Sequence, residues 1–447
     1  MSAAARGRRV VVTGMGAVTP SGIGVGALWD AVVRGRSAIQ RLDGPEFDAL
    51  PVRIGGRIEG FDAEGLVPTG LMRRLSPVQL WAIAAADEAL RHAGLIGEDA
   101  FGARGEAFTA GKVFAGDEDR VAIIAATGSG PVDAMQAATR ALDARGPRAV
   151  PLALAVYGAP DAAAALLSQR YGATGPAQGV SATCASGAIA LGEGLRRIRH
   201  GYADAVLVVG MEDCLGPVNL ASNANLRALA AGFEEAPQQA SRPFDRARSG
   251  FVMSQGAAAI LLESAEHAAA RGAAPLAELA GFGASSDAYH ATAPHPEGRG
   301  AARAVVQCLA DAEVSPDAVD HVNLHGTGTP AGDAAELAAL DAALGARART
   351  VPVTATKSST GHLLGAAGVV EAVISVESLR AQRIPPTLNL TDPEFPDFDV
   401  VSGRARSAEI RTVLSTSFGF GGHNGAILLR EEGVSAAEGR TIRQETQ

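Results

Sequence analysis

One cysteine and two histidines in this chain stand where a strand-like run gives way to small residues and then to a helical period. Cys184 lies in Ser181-Ala-Thr-Cys-Ala-Ser-Gly187. A short β-like run, Gly179 to Ala182, leads in, and Leu191, Leu195 and Ile198 recur at helical spacing until Gly201 stops the helix. A thiol at a helix N-terminus meets free N–H groups and a partial positive charge, which favour a thiolate and can hold an oxyanion. Ala185, Ser186 and Gly187 leave room for a carbonyl carbon to reach the sulfur. Taken alone, such a cysteine is more often a buried structural one. The decision falls to its company.

His325 opens His325-Gly-Thr-Gly-Thr-Pro330, after the strand-like run 320–324. His362 closes Thr356-Lys-Ser-Ser-Thr-Gly-His362, between the run 351–356 and a small-residue helix, Leu363 to Leu379. A helix dipole keeps such a ring neutral, so it can donate N–H to a developing oxyanion without carrying charge. Either histidine alone is more often a satisfied structural residue. Neither has a Cys or His neighbour at ligand spacing, which argues against a metal. Asp333 and Glu336 have capping-box spacing; alternatively Glu336 pairs with Lys357 and orients the site. In Ser415 to Asn424, three glycines surround an aromatic. Such a loop is a plain turn, or one that lends a backbone N–H to an oxyanion and swings a ring across a pocket.

The elements that must hold these residues are apolar strands at 9–16, 120–125, 204–210 and 257–262, with helices at 28–33 and 77–92. Strands alternating with helices predict an α/β protein with parallel sheets, and the second half repeats the first: strand, turn, reactive residue, helix. Reactive groups then fall at the carboxyl ends of strands. Gly14-Met-Gly16 lacks the third glycine of a dinucleotide fingerprint, so no nicotinamide site is expected. Residues 97–116 read as an exposed loop. With 47% hydrophobic and 19% charged residues the chain is globular, and a net charge of −9 argues against nucleic-acid binding. Three unpaired cysteines and no apolar run of membrane length predict a cytoplasmic protein without signal peptide or span.

In combination, Val180 to Gly187, His325 to Asp333, Thr356 to Gly368 and Ser417 to Asn424 resemble the elongating β-ketoacyl-acyl carrier protein synthases of the thiolase superfamily, from about Arg9 to Arg430. Ser241 to Asp245 and Ser285 to His290 also match. The resemblance implies a thiolase-like five-layered αβαβα fold of two duplicated halves, divided here as 8–265 and 266–431, with flexible tails at 1–7 and 432–447. It implies that Cys184 carries the acyl group as a thioester, that the N–H groups of Cys184 and Phe420 form the oxyanion hole, and that His325 and His362 hold the malonyl carbonyl during decarboxylation. Lys357 and Glu336 would support them, Phe420 would gate the pocket, and Phe418, Thr327 and Thr329 would contact substrate and its phosphopantetheine arm. Arg73, Arg74 and Arg227 match positions that receive the acidic acyl carrier protein. Asn323, Glu371, Ser415 and Asn424 match a structural cation site. No resident cofactor is implied, since phosphopantetheine arrives on the carrier.

The expected activity is decarboxylative condensation in fatty acid biosynthesis by a homodimer. The alternative is the catalytic ketosynthase subunit of a type II polyketide or polyene pathway, in a heterodimer with a chain-length partner. A non-enzymatic acyl-binding scaffold would not need both histidines. Ser254-Gln255 departs from the family's Gly followed by an acidic residue, which puts the local packing there in question.

Overall fold

The computed structural model describes residues 7–101 and 107–433. Ten strands carry the architecture: β1 Val10–Thr19, β2 Val121–Ala126, β3 Ala177–Val180, β4 Ala205–Asp213, β5 Gln255–Ser264, β6 Ala277–Ser286, β7 His321–Asn323, β8 Val353–Thr354, β9 Thr412–Gly419 and β10 His423–Arg430. Six helices pack on them: α1 Pro77–His92, α2 Ala162–Tyr171, α3 Ser186–Arg199, α4 Arg299–Asp311, α5 Pro330–Leu344 and α6 Ala367–Ala381.

The ladder runs β8-β7-β9-β10-β6-β1-β5-β4-β2-β3. Read outward from its centre, both halves have one order, β1-β5-β4-β2-β3 and β6-β10-β9-β7-β8. In each, the first two junctions are antiparallel and the last two parallel. The chain therefore contains one unit twice, but the sheets are mixed where parallel ones were expected. The reason is local: β9 turns straight into β10 through Phe420–Gly422, and a connection that short can only form an antiparallel pair. The halves join at the narrow contact of β1 with β6, through Val11 opposite Glu278 and Val12 opposite Ala277.

Period-two alternation sorts side chains into layers. On β4, Val206 and Val208 face a central core with Leu191, Leu195 and Ile198 of α3 and Val369, Val370 and Val373 of α6. Ala205, Leu207 and Val209 face the opposite way, onto α1 and α2. In the second half Val413, Ile427 and Leu429 point into the central core, and Val322, Leu414 and Leu428 point at α4 and α5. The layers are thus αβαβα, with α3 and α6 sealed in the middle. Each buried Leu or Ile there contributes roughly 2 kcal/mol of transfer free energy.

Two other expectations change. β1 does not end at Gly16 but runs on through both Gly14 and Gly16 to Thr19. A Cβ at either position would strike the carbonyl of Ala89 or Ala85 on α1, so the glycines admit a helix and do not break the strand. Residues 97–116 are not simply an exposed loop. Phe101 and Phe114 are buried, and the Arg170 guanidinium lies 3.5 Å over the Phe101 ring while paired with buried Asp87. The tails expected at 1–7 and 432–447 lie outside the described residues, apart from Gly7, Glu432 and Gly433; Glu432 accepts from Arg9 at 2.8 Å. Among the described residues, no helix is long and apolar enough to cross a membrane.

Candidate active site

The cysteine turn is built by its neighbours. Between β3 and α3, Thr183 takes φ +49°, a conformation that costs a β-branched residue about 1–3 kcal/mol. Hydrogen bonds hold it there. Thr183 Oγ1 donates to the carbonyls of Ala182 (2.8 Å) and Phe420 (2.9 Å). Ser186 Oγ accepts from the Ala182 N–H (2.8 Å) and donates to the Thr183 carbonyl (2.6 Å). Cys184 is buried at 5% exposure, and the backbone N–H groups of Phe420 and of Cys184 itself reach its sulfur. Burial pushes the thiol up to about 12, with the Lys357 charge opposing and Glu212 adding to the shift. Desolvation of the sulfur thus opposes the thiolate that a helix N-terminus favours.

His325 and His362 arrive from separate segments of the second half. The His325 N–H donates to Glu336 Oε1 (2.7 Å) and Thr416 Oγ1 (3.1 Å). His362 is held by its backbone, its N–H on the Val252 carbonyl (2.8 Å) and its carbonyl on the Ser254 N–H (3.0 Å). The two rings meet edge to face, with centroids 5.2 Å apart, and Phe251 packs edge-on against His362 at 5.4 Å. Nδ1 of each ring is buried without a partner. One ring nitrogen of each histidine and the Cys184 sulfur all lie within 4.8 Å of one another. No local spacing announced three potential metal ligands; the fold assembles them from three distant turns. Both rings are held neutral, mainly by burial and then by the Lys357 charge. The helix dipole expected at His362 is not the cause, since α6 begins at Ala367.

The supporting ion pair differs from expectation. Lys357, fully buried on a short helix, pairs with Glu371 and not with Glu336. Glu336 is occupied by the His325 loop: besides the His325 N–H, it accepts from the Gly326 N–H (2.7 Å) and Thr416 Oγ1 (2.8 Å). Nor is there a capping box at Asp333. Pro330 takes the first helical position, so Thr329 is the N-cap and accepts from the Gly332 N–H (3.2 Å). Asp333 instead receives the N–H groups of Phe244 (2.8 Å) and Gly328 (3.0 Å) and faces Arg248.

Two features escaped the sequence reading. Buried Glu212, at the end of β4, accepts N–H groups from Gly128, Ser129 (3.1 Å) and Gly365 (3.0 Å), tying a first-half turn to the approach of α6. Glycines also let the two central helices touch backbone to backbone. A Cβ on Gly187 would lie 2.7 Å from the Val369 nitrogen, and one on Gly368 2.5 Å from the Ala188 nitrogen. Those glycines were visible in the motifs; that they face each other was not.

A cavity of about 380 Å³ opens from the sulfur to solvent. His325, His362, Phe418 and Phe420 line its depth, and Thr327, Thr329 and exposed Arg227 also border it. Arg73 and Arg74 are exposed after the short helix Thr69–Met72 and are not part of this lining. The residues expected to hold a cation each have partners within the fold. Glu371 is taken by Lys357, Asn323 donates to the Glu371 carbonyl (3.4 Å) with Ser415 beside it in register, and Asn424 is held by Asp287 (2.8 Å). The unusual Ser254 is packed and used: its hydroxyl donates to the Gly56 carbonyl (3.3 Å), and its N–H carries His362. With its amide turned to suit its neighbours, Gln255 donates to Asp213 Oδ1 (3.2 Å) and accepts from the Ile58 N–H (3.0 Å).

The comparison with known proteins agrees with this geometry. Residues 7–268 match the model for the beta-ketoacyl synthase N-terminal domain and residues 276–391 that for the C-terminal domain. The chain is 39% identical to a 3-oxoacyl-[acyl-carrier-protein] synthase 2 of Vibrio harveyi, over 95% of this chain and 99% of that one. Its namesake in Synechocystis is 36% identical, over 93% and 96%. Among solved structures, a beta-ketoacyl synthase from Burkholderia phymatum superposes with TM-score 0.84 at 32% identity, over 95% of this chain and 99% of that one. A type II polyketide ketosynthase, solved with its acyl-carrier protein and bound to the hexaketide, gives 0.83 at 29%, over 95% and 100%. The chain belongs to the β-ketoacyl synthase family.

Proposed function

We propose that this enzyme is an acyltransferase that joins malonyl-acyl carrier protein to an acyl group on Cys184, lengthening it by two carbons in fatty acid biosynthesis. The observation that carries this reading is the cluster of one thiol and two neutral imidazoles at the base of a solvent-connected cavity. With its pKa raised, the thiol needs a proton acceptor, and a histidine nitrogen lies within reach. Sulfur attacks the incoming thioester carbonyl, the oxyanion rests on the N–H groups of Cys184 and Phe420, and the pantetheine thiolate leaves with the proton. Malonyl thioester then enters. His325 and His362 donate N–H to its carbonyl oxygen while the bond to the carboxylate breaks and carbon dioxide departs. The enolate carbon attacks the acyl thioester, and Cys184 leaves as thiolate and regains a proton.

Supporting roles follow from position. Lys357, paired with Glu371, keeps positive charge beside both rings and disfavours their protonation. Glu336 shapes the His325 loop. Thr327, Thr329 and Phe418 would guide the phosphopantetheine arm, and Arg227, with Arg73 and Arg74, would receive the acidic carrier. No resident cofactor is invoked. A dimer is favoured by the open edge of β3 and by exposed Met135, Leu142, Leu152 and Val156 on the same half; helix Val132–Arg145 buries only Ala138. Three free, buried cysteines suit a reducing compartment, and the cytoplasm is proposed. The second reading, a type II polyketide ketosynthase with a chain-length partner, is favoured by the 0.83 superposition on such a ketosynthase. The solution mass of the protein purified alone separates homodimer from orphan subunit. The chemistry is tested with Cys184→Ala: intact-protein mass spectrometry after incubation with acyl carrier protein thioester detects an adduct on the wild type, and an adduct on the variant refutes the assignment.

A further inference from the structure

The three reactive groups have a second competence. We propose that Cys184, His325 and His362 also form an exchangeable binding site for a thiophilic divalent cation, Zn²⁺ above all, whose occupancy reversibly blocks the enzyme. Among the described residues this is the one gathering of three or more potential ligands from His, Cys, Asp and Glu, and its atoms lie within 4.8 Å of one another. Ligand atoms around tetrahedral zinc sit roughly 3.3–3.6 Å apart, from bond lengths near 2.3 Å to sulfur and 2.0–2.1 Å to nitrogen. Coordination therefore requires the three groups to draw together. One thiolate and two neutral imidazoles suit zinc, and the cavity leaves its fourth position to water.

The surroundings set the strength. A ligating histidine normally donates its second N–H to a carboxylate or carbonyl, which fixes the ring and raises affinity. Here Nδ1 of both histidines is buried without a partner, and the Lys357 ammonium opposes a second cation nearby. The ion is therefore held loosely enough to exchange through the cavity mouth. On binding, the S–H bond of Cys184 breaks, its electron pair becomes the S–Zn bond and the proton leaves to solvent; no oxidation occurs. The sulfur is then unavailable to a thioester. Only this inhibition rests on the proposed condensation, because binding needs no substrate.

The test uses the full chain without carrier protein. Zn²⁺ is titrated against a chromophoric chelator, and Co²⁺ is titrated while its sulfur-to-metal charge-transfer band is recorded. One ion per chain and a thiolate band are expected. Both should vanish in Cys184→Ala and after alkylation of wild-type Cys184, and affinity should fall at least ten-fold in His362→Ala. Cys308→Ala, at a buried thiol far along the chain, should bind as wild type does. Condensation should stop with Zn²⁺ and return with a chelator. A band that survives alkylation, equal affinity in His362→Ala, or no binding at micromolar metal overturns the proposal. A metal-free enzyme that does not condense refutes instead the proposed function and leaves the binding result standing.

Discussion

Replacing His362 with alanine should separate the two proposed half-reactions. The His362 loop is held by its backbone, through Val252 and Ser254, so the turn survives loss of the ring. What goes is an edge contact with Phe251, another with His325 and an imidazole that lines the cavity. The lost packing should cost about 3 kcal/mol or less in stability, at the low end for deleting a buried ring. The chemical cost is more specific. Removing one donor to a developing oxyanion costs about 3 kcal/mol, a factor of roughly 10²–10³ in rate. Acylation of Cys184 is measured by intact mass and decarboxylation by release of labelled carbon dioxide from malonyl-acyl carrier protein. His362→Ala should still acquire the acyl group while decarboxylation falls by about that factor. His362→Gln keeps an N–H donor and should recover part of the loss. Decarboxylation within ten-fold of wild type would refute the donor role, and equal recovery by a non-donating leucine would reduce the residue to packing.

Gly368→Ala drives a methyl into the Ala188 backbone, so α3 and α6 must separate; destabilisation of about 1–3 kcal/mol with loss of condensation is expected by chemical denaturation and assay, and wild-type behaviour would show that the contact yields freely. Glu263, buried on β5, is held down to about 2 against its own burial by Arg271, His267 and Thr13. Its folded-state pKa is depressed, so its stabilisation is full above about 4.5 and disappears as pH falls through about 2. The Tm of wild type should drop faster than that of Glu263→Gln between pH 5 and 2.5, and parallel curves would contradict this. Neutralising Arg227, Arg73 and Arg74 should raise KM for carrier-bound substrate and weaken its salt dependence, with turnover of a small thioester preserved; equal loss on both substrates would disprove carrier docking there.

The turns that carry Cys184, His325 and His362 were legible because strand, small residues and helix are written locally. The duplication was legible from the same pattern. What failed were statements about partners far apart in sequence. Lys357 and Glu336 look like a natural pair from composition, yet the partner is Glu371, one turn into α6. Asp333 and Glu336 have capping-box spacing, yet Pro330 moves the helix start four residues earlier and frees both carboxylates for loop N–H groups. The thiol meets the same limit. A helix N-terminus can be read from a sequence, whereas the desolvation that outweighs it depends on everything packed around the sulfur.

The repeated strand order has a consequence for how such a site could arise at all. Cys184 follows β3 and precedes α3; His362 follows β8 and precedes α6, the matching place in the other half. Two identical copies paired about an axis would put the same side chain at both turns, giving two thiols or two imidazoles face to face. Covalent linkage of the copies breaks that symmetry. Once each turn has its own codons, one can carry a thiol and the other an imidazole while the shared framework keeps them opposed. The thiol–imidazole site is thus a heterodimer's chemistry carried within a single polypeptide.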